Sequence, residues 1–266
     1  MRVLISGITS FLGISTGKAL LKKGHEVYGI LRPESRNKER LKGEKGMQLL
    51  SLNMESFLLW EKENLSELHF DTVLHFAWDG VGSLGRSDLA TQEKNLRMSK
   101  AFFSWAKAHG VKRFFFAGSQ AEMGRGTREE PLPASPYGEK KLAFSEYGLK
   151  NHGEMEFIDL RIYSIYGKGD HERSLVKTLV RNTLKGRETE LGLGNKIWNF
   201  MAEEDFGRAL AFLTDLDIPA RKEESRNQRS SKSESVDLEI EYKENQLDLA
   251  SSGQGKECGS FTIDIC

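Results

Sequence analysis

The opening of this chain constrains it most: a short apolar run passes through a glycine-bearing turn into an amphipathic helix. Arg2-Val3-Leu4-Ile5-Ser6 has the β-branched content of a buried strand, Gly7 to Gly13 is the turn, and Leu12, Thr16, Ala19 and Leu20 recur at helical spacing. Strand, tight turn and helix in that order begin a βαβ unit. Gly7 and Gly13 permit the turn and close helix–strand packing, and the backbone N–H groups at Ser10, Phe11 and Leu12 are placed to face an anion of pyrophosphate size. Ser10 stands where the G-x-x-G-x-x-G spacing usually has its middle glycine; its Cβ crowds a phosphate and its hydroxyl can donate to one. An ordinary βα turn would use the same glycines.

The pattern then alternates. Strands are expected at Glu26–Leu31, Met47–Leu52, Asp71–Ala77, Val111–Ala117 and Met155–Leu160, and helices at Leu89–His109, from Ser135, at Leu175–Leu184 and at Ala202–Leu213. Parallel neighbours need crossover connections, so this alternation predicts an α/β fold, a Rossmann-type doubly wound parallel sheet. With 266 residues, 38% of them hydrophobic, the chain can bury one large core and carry a small second lobe. The residue ending the second strand faces an adenosine ribose in such units: an acid there binds the ribose, an arginine a 2′-phosphate. This chain has Arg32, with Arg36 behind it, which leans the reading toward NADP over NAD. His75 lies inside an apolar strand and reads as a packed core histidine, while Trp78 opens a loop at that strand's carboxyl end, where open α/β sheets bind ligands.

Basic and acidic residues balance, 39 against 39, so no global field favours nucleic acid or a membrane surface, and a small partner is expected. No apolar run approaches the roughly 20 residues that span a bilayer. The N-terminus shows no signal-peptide pattern, which points to a cytoplasmic protein. Cys258 and Cys266 offer neither a disulfide framework nor metal-ligand spacing, and no metal is expected.

Ser119 follows the fifth strand, and Ser135-Pro136-Tyr137-Gly138-Glu139-Lys140-Lys141 opens the next helix, with Tyr137 and Lys141 one turn apart on one face. A phenol near pKa 10 is a poor acid–base group at neutral pH, but an adjacent ammonium stabilises the phenolate. Serine, tyrosine and lysine together can pass a proton to or from a carbinol.

At this point the chain resembles the extended short-chain dehydrogenase/reductases, the nucleotide-sugar epimerase/dehydratase family, over roughly Met1 to Thr214. The resemblance is carried by the Gly7–Gly13 turn, His75-Phe76-Ala77, Asn95, Ser119 followed by Gly124, Tyr137-x-x-x-Lys141, Arg161-Ile162-Tyr163-Ser164-Ile165-Tyr166-Gly167, and Trp198-Asn199-Phe200 running into Asp205. It implies that Tyr137 is the acid–base, that Lys141 binds the nicotinamide ribose and lowers the tyrosine pKa, and that Ser119 bonds the reacting sugar oxygen. It also implies cofactor contacts from Gly7, Ser10, Phe11, Leu12, Gly13, Arg32, Asn53, Met54 and Ala77. Substrate contacts are expected from Trp78, Glu122, Ser164, Arg187 and Trp198. Ser164 replaces the family's usual Asn and Asn53 a common Asp. The family's dehydratases resemble Thr-Asp-Glu where this chain has Ser119-Gln120-Ala121, and Glu122 falls one position late, its side chain expected to point elsewhere. Elimination is therefore disfavoured, leaving 4-epimerisation or 4-keto reduction of a nucleotide-sugar, with a homodimer allowed.

The resemblance divides the chain into 1–166, a dinucleotide-binding domain, 167–218, a partial substrate lobe with a hairpin over Gly192 to Met201, and 219–266, a tail. Arg221 to Glu234 has no large apolar side chain and is expected to stay disordered. Val236, Leu238, Ile240 and Tyr242 alternate with charged residues and could add an edge strand. The tail is either divergent or read in a shifted frame, which puts the lobe's completeness in question. The alternative to an enzyme is a catalytically weak NADP-binding sensor or scaffold.

Overall fold

The computed structural model describes residues 1–57, 68–194, 198–216, 241–243, 246–248 and 260–265. Strands β1 (Arg2–Ser6), β2 (Glu26–Leu31), β3 (Met47–Ser51), β4 (Thr72–His75), β5 (Arg113–Ala117) and β6 (Glu156–Ile162) form a parallel sheet in the order 6-5-4-1-2-3. The order reverses between β1 and β4, which opens a crevice at their carboxyl ends. This is the Rossmann-type α/β fold.

Period-2 alternation along the strands feeds two apolar layers. Phe114 and Phe116 of β5 point toward helices α2 (Leu89–Ala108) and α3 (Pro136–Asn151), where Phe102, Phe103, Trp105, Phe144 and Phe157 pack with Leu4 and Val73. Phe115, between them, faces the opposite layer. There α1 (Phe11–Lys22) contributes Ile14 and Leu20. His75 is buried in the aromatic layer as expected, between Ser6 Oγ at 2.6 Å and Ser99 Oγ at 2.8 Å.

Helix α4 (Leu175–Leu184) follows the short strand β7 (Ser164–Tyr166) and lies on the surface, whereas α5 (Glu203–Asp215) does not behave as part of a separate lobe. Its Phe206, Leu210 and Leu213 recur at i, i+4 and i+7, are fully buried, and complete the layer beside α1. The 167–218 division therefore does not follow the packing. The expected hairpin also differs: β8 (Phe200–Ala202) pairs parallel with β7, a long-range pairing.

The polar tail contributes more than its composition suggests. Strand β9 (Glu241–Lys243) pairs antiparallel with β10 (Gln246–Asp248), and β11 (Ser260–Ile265) adds a seventh parallel strand outside β6. Ile263 and Ile265 are buried in the core, so the tail expectation over 219–266 fails at its last residues. Two apolar side chains on one strand face offset the ordering cost there. Arg221 to Glu234, Val236, Leu238, Ile240, Cys258 and Cys266 lie outside the described residues. Among the described residues no helix is long and apolar enough to cross a membrane.

Candidate active site

A groove of about 1170 Å³ starts at the N-terminus of α1, at Ser10, Phe11 and Leu12, and runs past Ala117 and Ser119 to Tyr137 and Lys141. Its far wall includes Ser164 and Trp198, and Trp78 lines it from the loop after β4.

The turn at its head is built as its glycines require. Gly7 has φ 73°, in the left-handed region, and a Cβ there would stand 2.8 Å from Ala77 N; a Cβ on Gly13 would stand 2.7 Å from Gly7 O. Ala77 thus backs the turn, its N–H donating to Ser6 Oγ at 3.2 Å. Ser10 is the N-cap of α1, its Oγ accepting from Gly13 N at 3.0 Å, so the hydroxyl proton stays available for a ligand. Narrow backbone packing, a helix N-terminus and a free hydroxyl donor fit a dinucleotide pyrophosphate.

Ser119 leaves β5 in extended conformation and N-caps a short turn, Gln120–Glu122, while Ser135 caps α3 with Pro136 at its first position, which sets Tyr137 in the first helical turn. The Ser119 and Tyr137 side chains both line the groove, with the Ser119 hydroxyl near enough to act on the Tyr137 phenol. Burial pushes the Tyr137 phenol above its ordinary pKa, against the lowering effects of the Ser119 hydroxyl and the Arg86 guanidinium. Lys141 is 3% exposed; its Nζ donates to Ala117 O at 2.5 Å and stands 4.0 Å from the Trp78 ring centre. Burial brings its pKa down to about 7, although Glu122 and Asp159 pull it up.

The cation at the tyrosine therefore differs from expectation. Lys141 Nζ lies 5.8 Å from the Tyr137 ring centre, while the Arg86 guanidinium lies over that ring at 4.8 Å. Arg86 sits in a loop fastened to α2: Gln92 donates to Gly85 O and accepts from Trp78 Nε1, and Asn95 pairs with Asp79 N and O. No sequence signal marks Arg86, because its place depends on how that loop folds back.

Other expected residues are not brought to the groove. Asn53 accepts from Ser56 N at 2.7 Å and Met54 packs on the aromatic layer; Asn37 and Arg40 line the groove on that side instead. Arg32 is half exposed and paired with Asp79 at 2.9 Å, outside the lining. Arg187 is exposed beyond the end of α4 and is not among the residues that line the groove. Glu122 is 1% exposed and turned inward, accepting from Ser119 N at 2.7 Å, so it is no substrate contact. The signal that locates it is the capping box Ser119-x-x-Glu122. Ser164 and Trp198 do meet, the indole N–H donating to Ser164 Oγ at 2.6 Å.

This is a Rossmann-type α/β protein whose groove brings together a serine, a tyrosine and a lysine. The chain belongs to the NAD dependent epimerase/dehydratase family, whose model matches residues 3–222. It is 24% identical over 227 residues to a CDP-abequose synthase of Yersinia pseudotuberculosis, covering 82% of this chain and 74% of that protein. Its fold is similar to that of the UDP-glucose 4-epimerase of Thermotoga maritima, solved with UDP-glucose (TM-score 0.67, 19% identity, 81% of this chain and 74% of the other). It is also similar to the UDP-glucuronic acid 4-epimerase of Bacillus cereus, solved with NAD (TM-score 0.66, 20% identity, 82% and 74%).

Proposed function

We propose that this chain is an NAD(P)-dependent oxidoreductase or epimerase of a nucleotide-activated sugar, with Tyr137 as acid–base. The observation that carries the reading is that Ser119, Tyr137 and Lys141 line one groove that begins at the glycine turn, with Tyr137 and Lys141 one helical turn apart. The turn and Ser10 would hold the pyrophosphate, and Lys141 the nicotinamide ribose. When bound, the dinucleotide supplies the hydride donor or acceptor. Ser119 and Tyr137 would hold the sugar's C4 oxygen between them, the proton moving at Tyr137 Oη.

The protonation state of Tyr137 suits this chemistry. Burial keeps the phenol protonated at neutral pH, the state from which it can donate a proton to a carbonyl oxygen. Both 4-keto reduction and 4-epimerisation pass a proton through this phenol, and the reading keeps both. Elimination lacks its acids, since Gln120 and Ala121 carry none and Glu122 is turned inward.

For the cofactor, Arg40 on the lining supplies a cation for a 2′-phosphate, with Arg32 outside the lining and held by Asp79, which supports NADP ahead of NAD. A second reading, an NADP-binding sensor, draws on the surface helix α4, whose Leu175, Val180 and Leu184 are 49%, 53% and 82% exposed. The test is a panel of nucleotide-sugars and their 4-keto forms with NADPH and NADH. Oxidation of NADPH by a 4-keto substrate, or 4-epimerisation of a nucleotide-sugar, is expected. Dinucleotide binding without turnover on any nucleotide-sugar would overturn the enzyme reading in favour of the sensor.

A further inference from the structure

Behind Ser119 lies a pair of carboxyls that the proposed chemistry does not use. Glu122 and Asp159 are 1% and 0% exposed, and they meet across Gly118, where an added Cβ would stand 2.7 Å from Glu122 Oε1 and 2.2 Å from Asp159 Oδ1. Each carboxyl has one oxygen satisfied: Glu122 Oε1 accepts from Ser119 N at 2.7 Å, and Asp159 Oδ2 accepts from Ser145 Oγ at 2.7 Å. Glu122 Oε2 and Asp159 Oδ1 are buried and, among the described residues, have no hydrogen-bond donor. Two ionised carboxylates buried against one glycine would carry both desolvation and mutual repulsion, a cost that one shared proton removes.

The charges around the pair are few. Lys141 approaches from α3 and Arg161 lies on β6, turned to Asp264 of β11 at 3.3 Å. Tyr137, a neutral phenol, and Arg86 lie on the groove side. With Arg161 and Arg128 sharing Asp264 on the β11 side, the buried set behind Ser119 is Glu122, Asp159 and Lys141. That set is neutral with a charged lysine only if the two carboxyls hold one proton between them.

We propose that Glu122 and Asp159 form a buried carboxyl–carboxylate pair sharing a single proton, and that its one negative charge is the counter-ion that positions the Lys141 ammonium. Glu122 is thereby a positioning residue, acting on Ser119 through the backbone bond and on Lys141 through charge. The Lys141 part rests on the dinucleotide reading of the groove; the proton part does not. The direction of the Glu122 shift agrees, its pKa raised well above the ordinary carboxylate range by burial first and by Asp159 second.

The proton is read by infrared difference spectroscopy of the full chain at neutral pH. A carboxylic-acid C=O band that shifts in D2O and is lost in Glu122→Gln is expected, since the amide replaces the acid and donates to Asp159 in its place. Absence of the band, or its persistence in both Glu122→Gln and Asp159→Asn, would overturn the shared proton whatever the groove binds. The counter-charge is read by NADPH titration across pH, followed by fluorescence. Glu122→Gln, which keeps one charge, should stay within about threefold of the parent, while Glu122→Gln/Asp159→Asn should bind at least about tenfold more weakly, with its pH dependence moved down by about one unit. Equal loss in the single and double variants would overturn the counter-ion role.

Discussion

His75 is a base the fold holds neutral. Buried between two serine hydroxyls and four aromatic rings, it is pushed down to about 3, by burial first and by the Lys141 charge second. The unfolded chain takes up that proton below its ordinary value of 6.5 and the folded chain does not, so stability is lost as pH falls from 6.5 toward 3. This one group should cost about 2 kcal/mol at pH 5 relative to pH 7. Urea unfolding at the two pH values measures it, and the difference should shrink by roughly that amount in His75→Gln; an unchanged slope would place the acid sensitivity elsewhere. Arg32 is governed by a surface pairing. Asp79→Asn should free the guanidinium and tighten NADP binding by about two- to fivefold with NAD little changed, the ceiling being the ~1 kcal/mol of an exposed ion pair. Fluorescence titration with both dinucleotides decides this, and equal gains for NAD and NADP would remove Arg32 from the 2′-phosphate reading.

Among the elements, β5 holds the site in place. Phe114 and Phe116 anchor it to the aromatic layer, and Ala117, Gly118 and Ser119 leave its end to form the groove floor. Phe116 is fully buried and in contact with His75, Trp78 and Phe144, so Phe116→Ala should destabilise the chain by about 3–5 kcal/mol. A urea midpoint near that of the parent would contradict the packing account. Elements like this were legible in the sequence because a run such as Phe114-Phe115-Phe116 states its burial locally, and Ser135-Pro136 states a helix start. What escaped was non-local. A three-residue strand such as β8 shows no period, and its partner β7 lies far back in the chain. Glu122 was legible as to its turn but not its direction, since a single 3-10 turn rotates it inward. Strand β11 had a period-2 signal in Phe261, Ile263 and Ile265, hidden by the polar stretch before it.

At the scale of the molecule, β11 decides what the tail is for. It seals the edge of β6, supplies Ile263 and Ile265 to the core, and brings Asp264 to Arg161 and Arg128. It also lies on the far side of β6 and β5 from the β1–β4 crevice. Ending the chain at Pro219 should therefore cost at least about 3 kcal/mol, the scale of burying two isoleucines, while the glycine turn persists in whatever fraction stays folded. A truncated chain with an unchanged urea midpoint would contradict this. The central claim, that Tyr137 carries the proton for hydride chemistry on a nucleotide-sugar, is tested most directly by Tyr137→Phe assayed on the best substrate of the panel. Turnover should fall by at least about 100-fold with NADPH affinity nearly unchanged; a phenylalanine variant that keeps most of its turnover would contradict it.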